Sequence, residues 1–246
     1  MYFLGIGTVL NMLMIIAGGI IGTFFGRKFP ERFREIFMQA AALVVFFIGV
    51  TGVIGAAATV EGGKLAISFT MMTIASLFAG SAIGELLNIE GALERGGAWL
   101  QAKMKRLFKN EDSHFAEGFC MAGILYCTGA MAIMGALNDG LLADPSILIS
   151  KGVIDGVTAI VFAATLGVGV LFSCLLVGVY QGTITLAASL LAPLLTETVI
   201  AQMSAVGSLL IVAIAFSISD IKKFRIGNML PAIFVPLLWY AIASLF

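Results

Sequence analysis

The sequence predicts an all-α fold, a polytopic bundle of about eight transmembrane helices, and three observations carry that expectation. Of the 246 residues, 60% are hydrophobic and only 11% charged, against about 25% charged in an ordinary soluble domain. The mean hydropathy is +1.08, so too little polar surface remains to cover a chain of this size in water. The apolar residues also fall in runs that reach the length of about 20 residues a helix needs to cross the hydrocarbon core.

The first span is expected from about Phe3 to Phe25, followed by a basic loop with Pro30. Arg27, Lys28, Arg32 and Arg34 lie after this stretch and no basic residue precedes it. That order is the reverse of a secretory signal, so the stretch reads as a permanent first helix with its N-terminus outside. The second span runs from about Ile36 to Ala58 and the third from Leu65 to Leu87. Over 89–114 the chain becomes amphipathic, with Leu93, Leu100, Met104, Leu107 and Phe108 among Arg95, Lys103, Lys105, Arg106 and Lys109. That pattern predicts a helix at the membrane surface. The fourth span is expected over about Phe115 to Leu137, before a polar loop with Asn138, Asp139, Asp144 and Pro145. The run Ile147–Leu195 is too long for one span and divides at Gly167 and Gly169 into spans of about 148–166 and 169–192. Two more follow, about Val199 to Ile218 and Met229 to Phe246.

Charge placement tests the count, because cytoplasmic loops are enriched in Lys and Arg. With eight spans, Arg27, Lys28, Arg32, Arg34, Arg95, Lys103, Lys105, Arg106, Lys109, Lys222, Lys223 and Arg225 share one side, and only Lys64 and Lys151 lie on the other. Joining spans five and six would put the last three on the wrong side. The bias of twelve against two places both termini outside the cytoplasm of a bacterial inner membrane.

The whole chain is one transmembrane domain in this reading. It comprises a first repeat half (1–88), the amphipathic helix and loop (89–114), linking spans (115–165) and a second half (166–246). The halves are suggested by Leu4-Gly5-Ile6-Gly7-Thr8-Val9-Leu10-Asn11-Met12-Leu13 beside Leu166-Gly167-Val168-Gly169-Val170-Leu171-Phe172-Ser173-Cys174-Leu175. Spans 1–3 would then recur as spans 6–8, inverted by the five-span offset, as in many secondary transporters. A chance likeness between Gly-rich apolar helices is the alternative.

Polar side chains inside a bilayer are costly and mark interiors or solute paths. Those expected to line a substrate site are Asn11, Thr128, Lys151, Asp155 and Gln181, with Tyr126, Asp139, Ser173 and Asn228 as further candidates. Asp155 is the strongest, as a cation or proton site. Its bland alternative is an ion pair with Lys151 at i, i+4. Gln39 lies near the start of span two, and Glu85, at the edge of span three, reads as a solvated carboxylate. The pairs Gly18/Gly22, Gly80/Gly84, Gly152/Gly156 and Gly178/Gly182 read as close-packing faces. Gly18-Gly19 and Gly167-Val168-Gly169 could instead interrupt their helices and free backbone groups.

Several classes are disfavoured. A net charge of zero gives nucleic acid no electrostatic hold. Cys120, Cys127 and Cys174 lie in apolar runs without CxxC spacing and read as buried thiols. The single histidine, His114, precludes a multi-histidine zinc motif. No GxSxG or P-loop pattern occurs, so neither enzyme chemistry nor a cofactor is expected, and a metal is left undetermined. An Asp139–Asp155 pair is the one arrangement that would favour an enzyme.

The run Tyr126-Cys127-Thr128-Gly129-Ala130-Met131 through Leu137-Asn138-Asp139-Gly140 resembles the central signature of the bacterial YdfK/YqgA-like membrane proteins, domain of unknown function 554. Gly84-Glu85 with Ile89-Glu90, Lys151 with Asp155-Gly156, Tyr180-Gln181-Gly182 and Asn228 with Leu230-Pro231 extend the resemblance over nearly the whole chain. It implies a bacterial inner-membrane location and a transport role, without a substrate. The expected function is therefore a transporter or channel for a small polar or ionic solute, with the lipid bilayer and that solute as partners. The alternative is a non-transporting assembly or regulatory protein that self-associates through its small-residue faces; the sequence leaves the oligomeric state open.

Overall fold

The computed structural model describes residues 3–26, 30–61, 64–104, 115–128 and 130–244. Arg27, Lys28, Lys105, Arg106, Leu107, Phe108, Lys109 and His114, which figure in the topology reading, lie outside the described residues. Helix α1 spans Ile6–Gly26 and α2 Glu31–Ala57, then strands β1 (Ala58–Glu61) and β2 (Lys64–Ile67) form an antiparallel hairpin. Helices α3 (Thr70–Leu87), α4 (Ile89–Met104), α5 (Phe115–Cys127), α6 (Ala130–Leu142) and α7 (Ser146–Leu166) follow. After Gly167 come α8 (Gly169–Phe172), α9 (Cys174–Leu186), α10 (Ala188–Leu191) and α11 (Glu197–Ile218). The chain ends with α12 (Ile226–Met229), a 3-10 turn (Leu230–Phe234) and α13 (Val235–Ala243). Among the described residues, seven helical segments are long and apolar enough to cross a membrane, and an eighth is obtained if α5 and α6 count as one bent span. The all-α polytopic bundle is thus what the chain forms.

Four details differ from the sequence expectation. The third span does not begin at Leu65, because 64–67 pair with 58–61. β-Branched Thr59, Val60 and Ile67 flank Gly62-Gly63, a hairpin pattern that hydropathy averaging conceals. The fourth span is not one helix: α5 ends at Cys127 and α6 sets off at 65° to it. Thr128 and Gly129 are poor helix formers at that break. Asn138 and Asp139 lie inside α6 rather than in a loop, and Asp139 is fully buried. Finally, α1 runs unbroken through Gly18-Gly19, whereas Gly167 does end a helix, with φ of 82°. Gly5, just before α1, has φ of 89°. These are the two glycines with positive φ among the described residues, and they occupy matched positions in the repeat alignment.

The chain forms two compact units. The first comprises residues 1–41, 91–127 and 131–189. Its axis is the seam of α1 on α7: Gly18, Gly22 and Gly26, one turn apart, lie against the backbones of Gly156, Ile160 and Ala164. A side chain at Gly18 would run into the Gly156 carbonyl. On its other side α1 meets α8 and α9, where a Cβ at Gly19 would lie 2.8 Å from Leu171 Cβ. Helix α5 abuts α8, with the Phe115 and Phe172 ring centroids 5.5 Å apart.

The second unit comprises 42–90, 128–130 and 190–246. There α2 meets α11, with Gly49 so close that a Cβ would lie 2.8 Å from Val212 N. The Phe46 and Phe216 rings meet edge to face at 6.0 Å. Helix α3 presents Gly80 and Gly84 to the backbones of Ala232 and Asn228. Between helices in lipid there is little hydrophobic drive, so small residues that allow dispersion contact do the packing. The apolar side chains left outside, among them Leu43, Phe47, Phe78, Leu86 and Val179, suit a hydrocarbon solvent.

At the start of α7, Asp144 Oδ1 accepts from the Ser146 backbone N–H (3.0 Å) and from its hydroxyl. These bonds hold the Asp144 carboxyl below its usual range. Their contribution to stability is present above the unfolded-chain pKa and is lost as pH falls through the folded one.

The seam has a direct consequence for variants. Gly18→Leu is expected to abolish folding or lower the thermal midpoint sharply in detergent, because the clash is with backbone. Gly182→Ala, where an added Cβ meets nothing within 4 Å, is expected to be neutral or to gain up to about 1 kcal/mol. Fluorescence-monitored size-exclusion thermal melts measure both.

Candidate functional site: a buried polar cluster in the first unit

The register of the α1–α7 seam decides which polar groups meet. On α1 the buried face carries Gly7, Thr8, Asn11, Ile15 and Gly18, the 3–4 spacing of one helix face. On α7 it carries Leu148, Lys151, Gly152, Asp155 and Gly156. A side chain at Gly152 would lie 3.1 Å from Asn11 Cα and 3.5 Å from Asn11 Oδ1, so the absent side chain lets Asn11 sit against α7. Asn11 Nδ2 donates to Gln181 Oε1 of α9 at 3.3 Å. The Asn11 amide also reaches the Asp155 carboxylate, which Lys151 Nζ pairs from one turn earlier. Asn11 and Gln181 are 0% exposed, and Lys151 and Asp155 5%.

Lys151 has further company. Its ammonium lies 5.9 Å from the centroid of the Tyr126 ring, and Tyr126 belongs to the last turn of α5. The final carbonyls of a helix lack intrahelical partners and carry partial negative charge. The end of α5 therefore offers a cation an environment that an unbroken helix would not.

Among the described residues, three atoms of the cluster have no hydrogen-bond partner: Asn11 Oδ1, an acceptor, Gln181 Nε2, a donor, and the Tyr126 hydroxyl. Such groups are rare in folded proteins, because each one left unpaired costs about 1–3 kcal/mol. Exchanging O and N of both amides reverses the bond between them and leaves a spare donor on Asn11 and a spare acceptor on Gln181, so spare capacity is present either way. The cluster is therefore able to accept one hydrogen bond and donate another to something placed between α1 and α9.

Of the residues singled out from sequence, Asn11, Lys151, Asp155, Gln181 and Tyr126 meet here. Thr128 is buried but falls in the second unit. Ser173 is buried in the first unit and donates to the Val170 carbonyl at 2.6 Å, a local helix bond. Asp139 accepts from the Gly7 N–H at 3.1 Å, capping the start of α1, and its Oδ1 is buried without a partner. Asp139 and Asp155 thus serve different partners. Thr8, three residues before Asn11, was not singled out. Its hydroxyl is buried and unpartnered, and the i, i+3 spacing was the available signal.

Asn228 has a separate place, at the joint of α3, α4 and α12. Its Nδ2 donates to Glu85 Oε2 (2.8 Å) and its Oδ1 accepts from the Glu90 N–H (2.7 Å). Glu90 Oε2 accepts in turn from the Gly227 N–H at 3.1 Å. Glu85 also pairs with Arg225, so it is not merely solvated as its position at the helix edge suggests.

A double-mutant cycle tests the buried pair. Lys151→Met or Asp155→Leu alone is expected to cost about 3–5 kcal/mol, because each strands a charge. The double variant is expected to recover most of that loss. Reversible unfolding in mixed micelles is the measurement, and additive losses would show that the charges do not depend on each other.

Comparison with known proteins agrees with this architecture. The family described as "Protein of unknown function (DUF554)" matches residues 6–241. The "Uncharacterized membrane protein YdfK" of Bacillus subtilis (strain 168) is 32% identical over 230 residues, 94% of this chain and 93% of the relative. The "Uncharacterized protein YqgA" of Escherichia coli (strain K12) is 34% identical over 233 residues, 93% of each. No solved structure matches. With a family match spanning almost every helix, this all-α membrane protein belongs to the DUF554 family.

Proposed function

We propose that the protein is a membrane transporter or channel for a small polar or ionic solute, with its site at Asn11, Lys151, Asp155 and Gln181. One observation carries the reading: the spare acceptor of Asn11 and the spare donor of Gln181 are fully buried beside an ion pair among membrane-length helices. Pure packing has no use for four polar side chains at that depth. A solute path does. The end of α5, whose last turn brings the Tyr126 ring to Lys151, supports it too, since discontinuous helices build many transporter sites.

An inverted repeat belongs to the same proposal. In its support, each span of the first half packs on its own counterpart: α1 on α8 and α9, α2 on α11, α3 on the turn after α12. The matched glycines Gly5 and Gly167 share a positive φ. The charge bias of the sequence supports placement in a bacterial cytoplasmic membrane with both termini outside the cytoplasm.

The test is flux into proteoliposomes from a panel of labelled monovalent cations, inorganic anions, sugars and amino acids. At least one solute is expected to enter well above protein-free vesicles. Gln181→Ala should slow it about tenfold, the equivalent of one hydrogen bond of about 1.4 kcal/mol. Absence of flux for the whole panel would overturn transport and favour the assembly or regulatory role.

A further inference from the structure

Resting on that reading, we propose that the solute is a small zwitterion, carrying an ammonium and a carboxylate with no net charge. The argument is one of charge and hydrogen-bond balance at the cluster. Lys151 and Asp155 are both buried and neutralise each other. A lone cation or anion would leave the occupied site with an uncompensated charge at membrane depth, where such a charge is most costly. A zwitterion leaves the sum at zero.

The complementarity goes further than charge. Besides the Tyr126 hydroxyl, which can do either, the cluster offers two donors, Lys151 Nζ and Gln181 Nε2, and two acceptors, the Asp155 carboxylate and Asn11 Oδ1. An ammonium has three N–H donors and no acceptor, and a carboxylate only acceptors. A zwitterion inserted into the ion pair gives its ammonium to Asp155 and Asn11 Oδ1, and its carboxylate to Lys151 and Gln181 Nε2. Every interaction lost in opening the pair is replaced by one of the same kind, and the two unpartnered amide atoms acquire partners. Neither a sugar nor an alcohol has the charges needed to part Lys151 from Asp155.

Two measurements test this. The first is uptake into proteoliposomes from a mixture of labelled α-, β- and γ-amino acids, with methylammonium and acetate as the two halves of the zwitterion. Uptake of at least one amino acid is expected, with neither half transported, and Lys151→Met or Asp155→Asn should remove it. The second needs no variant: the thermal midpoint of the wild-type protein in detergent. The amino-acid mixture is expected to raise it more than methylammonium and acetate together at equal concentration. Transport of another panel solute without amino-acid uptake would overturn the zwitterion and leave the transporter standing. Equal stabilisation by the separate halves, or none by the amino acids, would also overturn it. Absence of flux for every solute would bring down both.

Discussion

The backbone contact between α1 and α7 is the constraint on which the first unit depends. Lipid offers helices little reason to associate other than dispersion and hydrogen bonds across the interface. Glycines at 18, 22 and 26 remove the side chains that would hold the axes apart, and the carbonyl and Cα atoms of 156, 160 and 164 occupy the space. Because glycine cannot be replaced there without moving backbone, the seam also fixes register. Register in turn sets Asn11 against Gly152 and within reach of Asp155 and Gln181. The polar cluster is thus a consequence of the packing face two turns away.

The second unit uses the same device with a different outcome. Gly49 lets α2 approach α11, and Gly80 and Gly84 let α3 approach the broken last span. The polar groups at its α3–α4–α12 joint, however, are spent on one another. Asn228 uses both ends of its amide on Glu85 and the Glu90 backbone, and nothing in that joint has the spare capacity seen at Asn11 and Gln181. The contrast separates a polar joint whose groups satisfy one another from a polar cluster with unpartnered amide atoms.

Breaks in regular structure matter as much as the helices. Helix α5 ends at Cys127, and its last turn carries the Tyr126 ring that lies 5.9 Å from the Lys151 ammonium. Ending α7 at Gly167 lets α8 and α9 return along α1, and it is this return that brings Gln181 to Asn11. Both breaks fall at glycine-containing sequences of low helix propensity.

The sequence by itself determined the solvent, the helical class and the approximate position of the apolar spans. Run length and charge scarcity depend only on the cost of polar groups in hydrocarbon. The split at Gly167 and the candidates Asn11, Lys151, Asp155 and Gln181 were legible for the same reason, since a polar residue within an apolar run stands out. What only the tertiary structure decided is which of those residues meet. Thr128 and Asp155 look alike in sequence but fall in different units, and Asp139 reads as a loop residue until α6 buries it against Gly7. The hairpin at 58–67 and the bend after Cys127 were hidden because hydropathy averages over a window and is blind to backbone direction. Which groups share a site depends on register between helices far apart in sequence, and that is set by side-chain volume at the seam.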